Sequence, residues 1–307
     1  RSNPHPFDGS SLPPTHSRTL TPFVNHVPLL QILVDLGVDL FEIETRNPTV
    51  PRHLLRLPFD EARGKLRWLI SIVKVVISLS GFSPDILGEY LTRNPYVLLQ
   101  NLNDMKARVN FLASYKFTNA QIFKLVSEFR YWLNLDIKTT ESRLEWVIVT
   151  FGLKKSAMRK VLVKEPRLFM FGMGPIKRIF DLLTNECQFS TTQVKNMLMD
   201  DPRLFMMDSR VIMANFVYAK RVMNVSLDSI ASHPLLLRVS LSSLRCRHEF
   251  LRSQGRTPYC DSNGGEPGYA VIQSVSLSDL LVASDAVFAE KVALVTPSSY
   301  DIFLRTH

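Results

Sequence analysis

Two stretches of the chain, LKKSAMRKVLVKEPRLF (Leu153–Phe169) and FSTTQVKNMLMDDPRLF (Phe189–Phe205), carry one pattern 36 residues apart. Each opens on a bulky apolar residue and reaches an apolar triad at Met158/Val161/Leu162 or Val194/Met197/Leu198. Each then ends at a proline, Pro166 or Pro202. The i, i+3, i+4 spacing of the triad marks one face of an α-helix. The proline ends that helix, because it lacks a donor and pushes its predecessor out of the α region.

Working outward, the same register aligns Pro95, Arg130, Pro166, Pro202 and Pro234, at intervals of 35, 36, 36 and 32 residues. The triads Leu87/Tyr90/Leu91 and Ile122/Leu125/Val126 fall into line. Twelve residues before the first four anchors stand Ser83, Thr118, Lys154 and Ser190. Three of these are N-cap residues, and Thr118-x-x-Gln121 and Ser190-x-x-Gln193 read as capping boxes. Ser83 is followed by Pro84, which suits a first helical position. Three residues past the anchors come Leu98, Leu133, Phe169, Phe205 and Leu237, and a second helix follows each turn. The interval of 32 places the Val225–Pro234 helix about one turn short, which keeps it in phase.

An earlier, degenerate unit shows in Leu33-x-x-Leu36-Gly37-Val38 and Asn47-Pro48. Its 47-residue spacing to Pro95 leaves a surplus near Trp68–Leu79, too short an apolar run to cross a membrane. No alternating strand pattern appears. The reading is an all-α solenoid of about six helical repeats over residues 28–256, after a Pro-rich disordered leader at 1–27. Residues 257–307 read as a Gly/Pro-rich loop (Thr257–Gly268) and a C-terminal helical cap. Ser276, Ser284 and Thr296-Pro297 each open a short helix in that cap.

The chain of 307 residues carries 37 Lys+Arg against 28 Asp+Glu, a formal charge of +9. Residues 1–102 contribute +1, residues 103–180 contribute +9 and residues 181–307 contribute −1. So local an excess reads as the footprint of a polyanion rather than as a bias of composition. Its centre is Lys154, Lys155, Arg159, Lys160, Lys164, Arg167, Lys177 and Arg178, opposed only by Glu165. Lys155, Arg159 and Lys160 avoid the apolar face of their helix and project outward together. Arg108, Arg143 and Arg247 recur thirteen residues after their anchors, and Arg245 joins Arg247 in a second basic cluster. Such arginines reach phosphates or satisfy helix-end carbonyls, and spacing alone leaves both open. Tyr96, Tyr131, Trp132, Phe169 and Phe205 sit at repeat-locked positions and read as core rather than as stacking platforms.

Catalytic signatures are poor. Cys187, Cys246 and Cys260 form no C-x-x-C, and there is no H-E-x-x-H. Phe171-Gly172-Met173-Gly174 lacks a preceding strand, and Gly264-Gly265 lacks the Lys-Ser/Thr of a P-loop. Asp200-Asp201 reads as a turn, while Cys246 and His248 point apart on a helix. No catalytic residue, cofactor or metal is expected.

The pattern of apolar residue, N-cap, amphipathic helix, Pro-turn and Arg-x-x-Phe/Trp resembles the mTERF repeat of the mitochondrial transcription termination factor family. Leu29–Pro48, Thr92–Leu99 and Asn101–Leu112 look most like that family's subfamily 3. The resemblance spans roughly residues 28–307, with departures at Arg130, at the short Val225–Pro234 helix and at the long Trp68–Leu79 region. It implies a superhelix of three-helix repeats whose basic concave face binds nucleic acid in mitochondria. It further implies a monomer regulating transcription on double-stranded DNA, with structured RNA in ribosome assembly as the alternative ligand. Transcription or ribosome-assembly proteins would be partners. A protein-interaction scaffold is the reading from a different class.

Overall fold

Several helices begin where a side chain caps them. Thr118 and Ser190 each accept a hydrogen bond from the backbone N–H three residues on, and Gln121 and Gln193 return it, so both capping boxes form. Ser226 caps the short helix in the same way, accepting from Ser229 N. The computed structural model describes residues 17, 19–80, 86–129, 131–170, 172–256 and 275–306. Arg130, Phe82, Ser83, Pro84, Phe171, Cys260, the Gly264-Gly265 pair and the Thr257–Gly268 loop lie outside the described residues, as do residues 1–16 and 18 of the leader.

The chain divides into two compact units, Arg1–Ser142 and Arg143–His307. The first holds α1 (Pro28–Asp35), α2 (Leu40–Arg46), α3 (Val50–Arg56), α4 (Phe59–Ser80), α5 (Ile86–Arg93), α6 (Leu102–Ser114) and α7 (Asn119–Glu128). The boundary falls inside α8 (Ile137–Thr150). The second holds α9 (Lys155–Lys164), α10 (Met173–Asp181), α11 (Thr191–Asp200), α12 (Ser209–Arg221), α13 (Leu227–Ser232) and α14 (Leu241–Ser253). It closes with α15 (Leu277–Leu280), α16 (Asp285–Val287) and α17 (Pro297–Thr306). No strand occurs among the described residues, so the fold is all-α.

Each repeat is a first helix, a short 3-10 turn and a second helix. Turns at Pro95–Leu99, Pro166–Met170, Pro202–Met206 and Pro234–Leu237 all begin at the anchor proline. The turn at Trp132–Asn134 starts two residues after Arg130. The first helices α7, α9 and α11 have ten residues each and α13 has six, the one-turn deletion read from the sequence. Their apolar triads are buried: Val161, Leu125, Val194, Met197 and Leu198 are fully covered. The residue just before each first helix's leading apolar residue turns through the left-handed region, at Lys116 (φ 63°), Gly152 (57°), Gln188 (63°) and Asn224 (54°). That conformation closes the preceding helix, with Leu153 N–H reaching back to Ile148 O and Phe189 N–H to Leu183 O.

Equivalent elements stack on one another within each unit. In the first, α4 packs on α1 and α7, α2 on α5, and the Pro95 and Trp132 turns on each other. The surplus at Trp68–Leu79 extends α4 itself, which runs for 22 residues against 13 in α6. Gly88 lets α5 press onto the end of α1, where a Cβ would collide with the Leu36 carbonyl. In the second unit, α9, α11 and α13 form a ladder, the turns at Pro166, Pro202 and Pro234 form another, and α12 packs on α14. Ser276, Ser284 and Thr296 open the three closing helices as the sequence suggested, each accepting from a backbone N–H three residues on.

Polar residues join successive repeats at the position just before the anchor. Asn94 exchanges two amide hydrogen bonds with Asn134, at 3.2 Å each. Asp201 pairs with Arg238 at 2.7 Å, and His233 Nε2 meets Ser278 Oγ at 3.1 Å. Glu165 takes both Arg167 and Arg203. Sequence periodicity did not reveal these links, since it reports the core within a repeat and not the partner one repeat away.

Candidate nucleic-acid interface

The second unit carries most of the basic residues singled out from the sequence, and they fall on two rows of helices. On the first-helix row, α9 presents Lys155 and Lys160 to solvent, with Lys154 exposed at its N-cap and Arg159 half-buried. This helix start breaks the rule that its neighbours obey. Lys154 has no acceptor to offer, no side chain caps the helix, and the first turn holds no acid. Two cations, Lys154 and Lys155, therefore stand at the positive end of the helix dipole. Lys164 differs: its Nζ donates to Met199 O (2.8 Å) and Asp200 O (3.3 Å) at the end of α11.

The second-helix row forms a cleft. Lys177 and Arg178 are exposed on α10, whose Ile176 and Ile179 point into the core. With Gly174, Asp181, Asn185 and Glu186 they line a cleft of about 370 Å³. A second cleft, of about 590 Å³, is lined by Leu182, Glu186, Arg210, Met213, Val217 and Arg245, among others. Leu182 and Glu186 belong to both, so the two are contiguous. They lie on a π turn, Leu182–Glu186, that continues α10. Lys177, Arg178, Arg210 and Arg245 thus share one groove over α10, α12 and α14, and α9 contributes nothing to it.

Two of the groove's cations are held in place. Arg210 pairs with Asp208 through Nη2 at 2.8 Å. Asp208 is kept below the usual carboxylate range chiefly by Arg210's side-chain and backbone hydrogen bonds, with Arg178 adding to the effect. Arg245 lies over the Tyr218 ring at 5.3 Å. By contrast, the cleft between α11 and α13 is lined by Gln193, Asn196, Asp200 and Asp228 and holds no cation.

Two of the repeat-locked arginines turn inward. Arg108 donates through Nη1 to Leu133 O (2.6 Å) and through Nε to Leu135 O. Arg247, only 9% exposed, donates to Leu280 O (2.9 Å) and Val282 O (2.7 Å) and pairs with Asp285 at 2.8 Å. Asn215 occupies the same repeat position and binds Leu236 O and Val239 O. These residues fasten a second helix to the turn of the following repeat. Arg143, the remaining member of that set, is half-buried. Arg167 is exposed and bound to Glu165. Arg210 and Arg203 escaped the sequence reading because they fall in the charge-balanced C-terminal stretch, where nearby acids hide them from a net-charge map.

Comparison with known proteins accords with the helical repeat. The mTERF family model matches residues 38–289. The chain belongs to the mTERF family. It is similar to transcription termination factor 3, mitochondrial, of Drosophila melanogaster, at 27% identity over 94% of this chain and 77% of the relative. The Rattus norvegicus protein of the same name is 28% identical over 95% of this chain and 68% of its own length. Transcription termination factor 4, mitochondrial, of Mus musculus is 22% identical over 77% of this chain and 56% of its own. The likeness of Leu29–Pro48 to subfamily 3 thus agrees with the relatives.

Chemistry of other kinds has little to stand on among the described residues. No group of three His, Cys, Asp or Glu is placed to hold a metal ion. No helix is long and apolar enough to cross a membrane. Burial pushes the Cys187 thiol up to about 12, away from a nucleophile's range. Trp132 and Phe205 are buried, as core residues should be.

Proposed function

We propose that the protein is a non-catalytic, monomeric regulator of mitochondrial transcription that binds double-stranded DNA through its phosphates. The family supports nucleic-acid binding, and the relatives' names support a place in mitochondria and a role in transcription. The observation that carries the reading is the continuous groove bearing Lys177, Arg178, Arg210 and Arg245 beside a first-helix cleft with no cation. Lys155, Arg159 and Lys160 on α9 form a second basic patch for the same ligand. Arg247 serves the binding indirectly, by fixing α14, the helix that carries Arg245.

Phosphate contacts of this type release counterions, so affinity falls steeply with salt. Binding of duplex DNA and of structured RNA, titrated against potassium chloride, tests the assignment. Duplex DNA is expected to bind more tightly at every salt, with a slope of several units. Tighter binding of structured RNA would transfer the assignment to ribosome assembly. Flat salt dependence with both ligands would leave the interaction scaffold as the better reading.

A further inference from the structure

Glu165 is 2% exposed and stands between α9 and the turn that opens at Pro166. Its carboxylate accepts from Arg167 Nε (2.7 Å), Arg167 Nη2 (2.8 Å) and the Arg167 backbone N–H (3.2 Å). It also accepts from Arg203 Nε at 2.9 Å. Arg167 and Arg203 each follow an anchor proline, Pro166 and Pro202, in turns that stack on one another. One buried acid thus holds two arginines from consecutive repeats.

The matching link one repeat later is built differently. Asp201 and Arg238 pair one to one, with side chains 14% and 26% exposed, as suits a staple between repeats. At Glu165 one arginine would neutralise the charge, yet two converge, and their side chains remain 53% and 56% exposed. Two half-exposed guanidinium groups thus take their orientation from one buried carboxylate. A planar guanidinium tied on one edge to a carboxylate presents its remaining donors in a fixed direction, a geometry that matches phosphate oxygens. The Pro202–Met206 turn also packs against α10, the helix that carries Lys177 and Arg178.

We infer that Arg167 and Arg203 form a phosphodiester-binding site for duplex DNA, with the buried Glu165 as the residue that positions both guanidinium groups. The inference rests on the nucleic-acid reading above and adds a site to it. Glu165 is held below the usual carboxylate range, first by its hydrogen bonds from Arg167, and so stays charged while it orients them.

The test uses the direction of an electrostatic effect. Glu165→Gln removes a negative charge, and net charge alone would tighten binding to DNA. A positioning role requires the reverse: anisotropy with a labelled duplex should show affinity falling about tenfold, the scale of one oriented charge-assisted hydrogen bond. Arg167→Lys with Arg203→Lys keeps every charge and should weaken binding similarly while leaving the salt slope unchanged. Circular dichroism on each variant separates this from unfolding, and the lysine variant serves if Glu165→Gln does not fold. Wild-type protein that binds DNA while both variants bind as tightly or tighter would overturn this site alone. Wild-type protein without salt-dependent binding would overturn the nucleic-acid reading and this site with it.

Discussion

Asn94 and Asn134 face each other across two consecutive repeats, each amide donating to the other's oxygen at 3.2 Å. Asn94 is fully buried and Asn134 half-buried, so the pair satisfies the Asn94 amide where water does not reach it. Replacing Asn94 with Ala removes both hydrogen bonds to the half-buried Asn134 and is expected to cost about 1 kcal/mol. Chemical denaturation of the variant checks this, and DNA affinity measured on folded protein should be unchanged.

Arg247 is expected to matter for folding and not for binding phosphate. Its guanidinium is spent on Leu280 O, Val282 O and Asp285, fastening α14 to the closing helices. Arg247→Met should destabilise the protein by about 2 kcal/mol, since it takes the buried donor from the Leu280 and Val282 carbonyls. The slope of affinity against salt should match that of the wild type. A slope reduced by about one unit, with stability intact, would reassign Arg247 to the interface.

Acid should loosen the second unit at Glu165. Its folded-state pKa is depressed, first by the hydrogen bonds from Arg167, so the stability it contributes is present above the ordinary glutamate range. That stability is lost as pH falls through the depressed value. Glu165→Gln should therefore flatten the decline in melting temperature on acidification, while making the protein less stable than the wild type at neutral pH. A pH series of melting curves for the two proteins reads this directly.

Capping α9 should stabilise it at the expense of binding. Lys154→Ser supplies the acceptor that Thr118, Ser190 and Ser226 supply to their helices. It also removes a cation from the positive end of the dipole. The expected gain is about 1 kcal/mol in stability, with weaker DNA binding. Tighter binding together with higher stability would remove α9 from the interface.

Most of the fold was legible because its signals are local. The capping boxes at Thr118 and Ser190, the buried triads and the turns beginning at Pro95, Pro166, Pro202 and Pro234 each lie within a dozen residues of sequence. What was illegible depends on the neighbouring repeat. Arg108 and Arg247 hold carbonyls 25 to 35 residues away, and no pattern within their own helices shows where those carbonyls lie. The interface was legible only in part for a related reason. Net charge pointed to residues 103–180, whereas the groove draws Arg210 and Arg245 from a stretch whose acids cancel its bases. A cation beside Asp208 still projects into the cleft, and a sum of charges does not record that.

Duplex DNA is expected to lie in the groove over α10, α12 and α14, and the salt dependence of its binding tests this most directly. Lys177, Arg178, Arg210 and Arg245 replaced together by Gln should lower the slope by about 0.9 for each phosphate that is no longer neutralised, with melting temperature close to that of the wild type. Wild-type slope and affinity in that variant would contradict the groove as the path of the DNA.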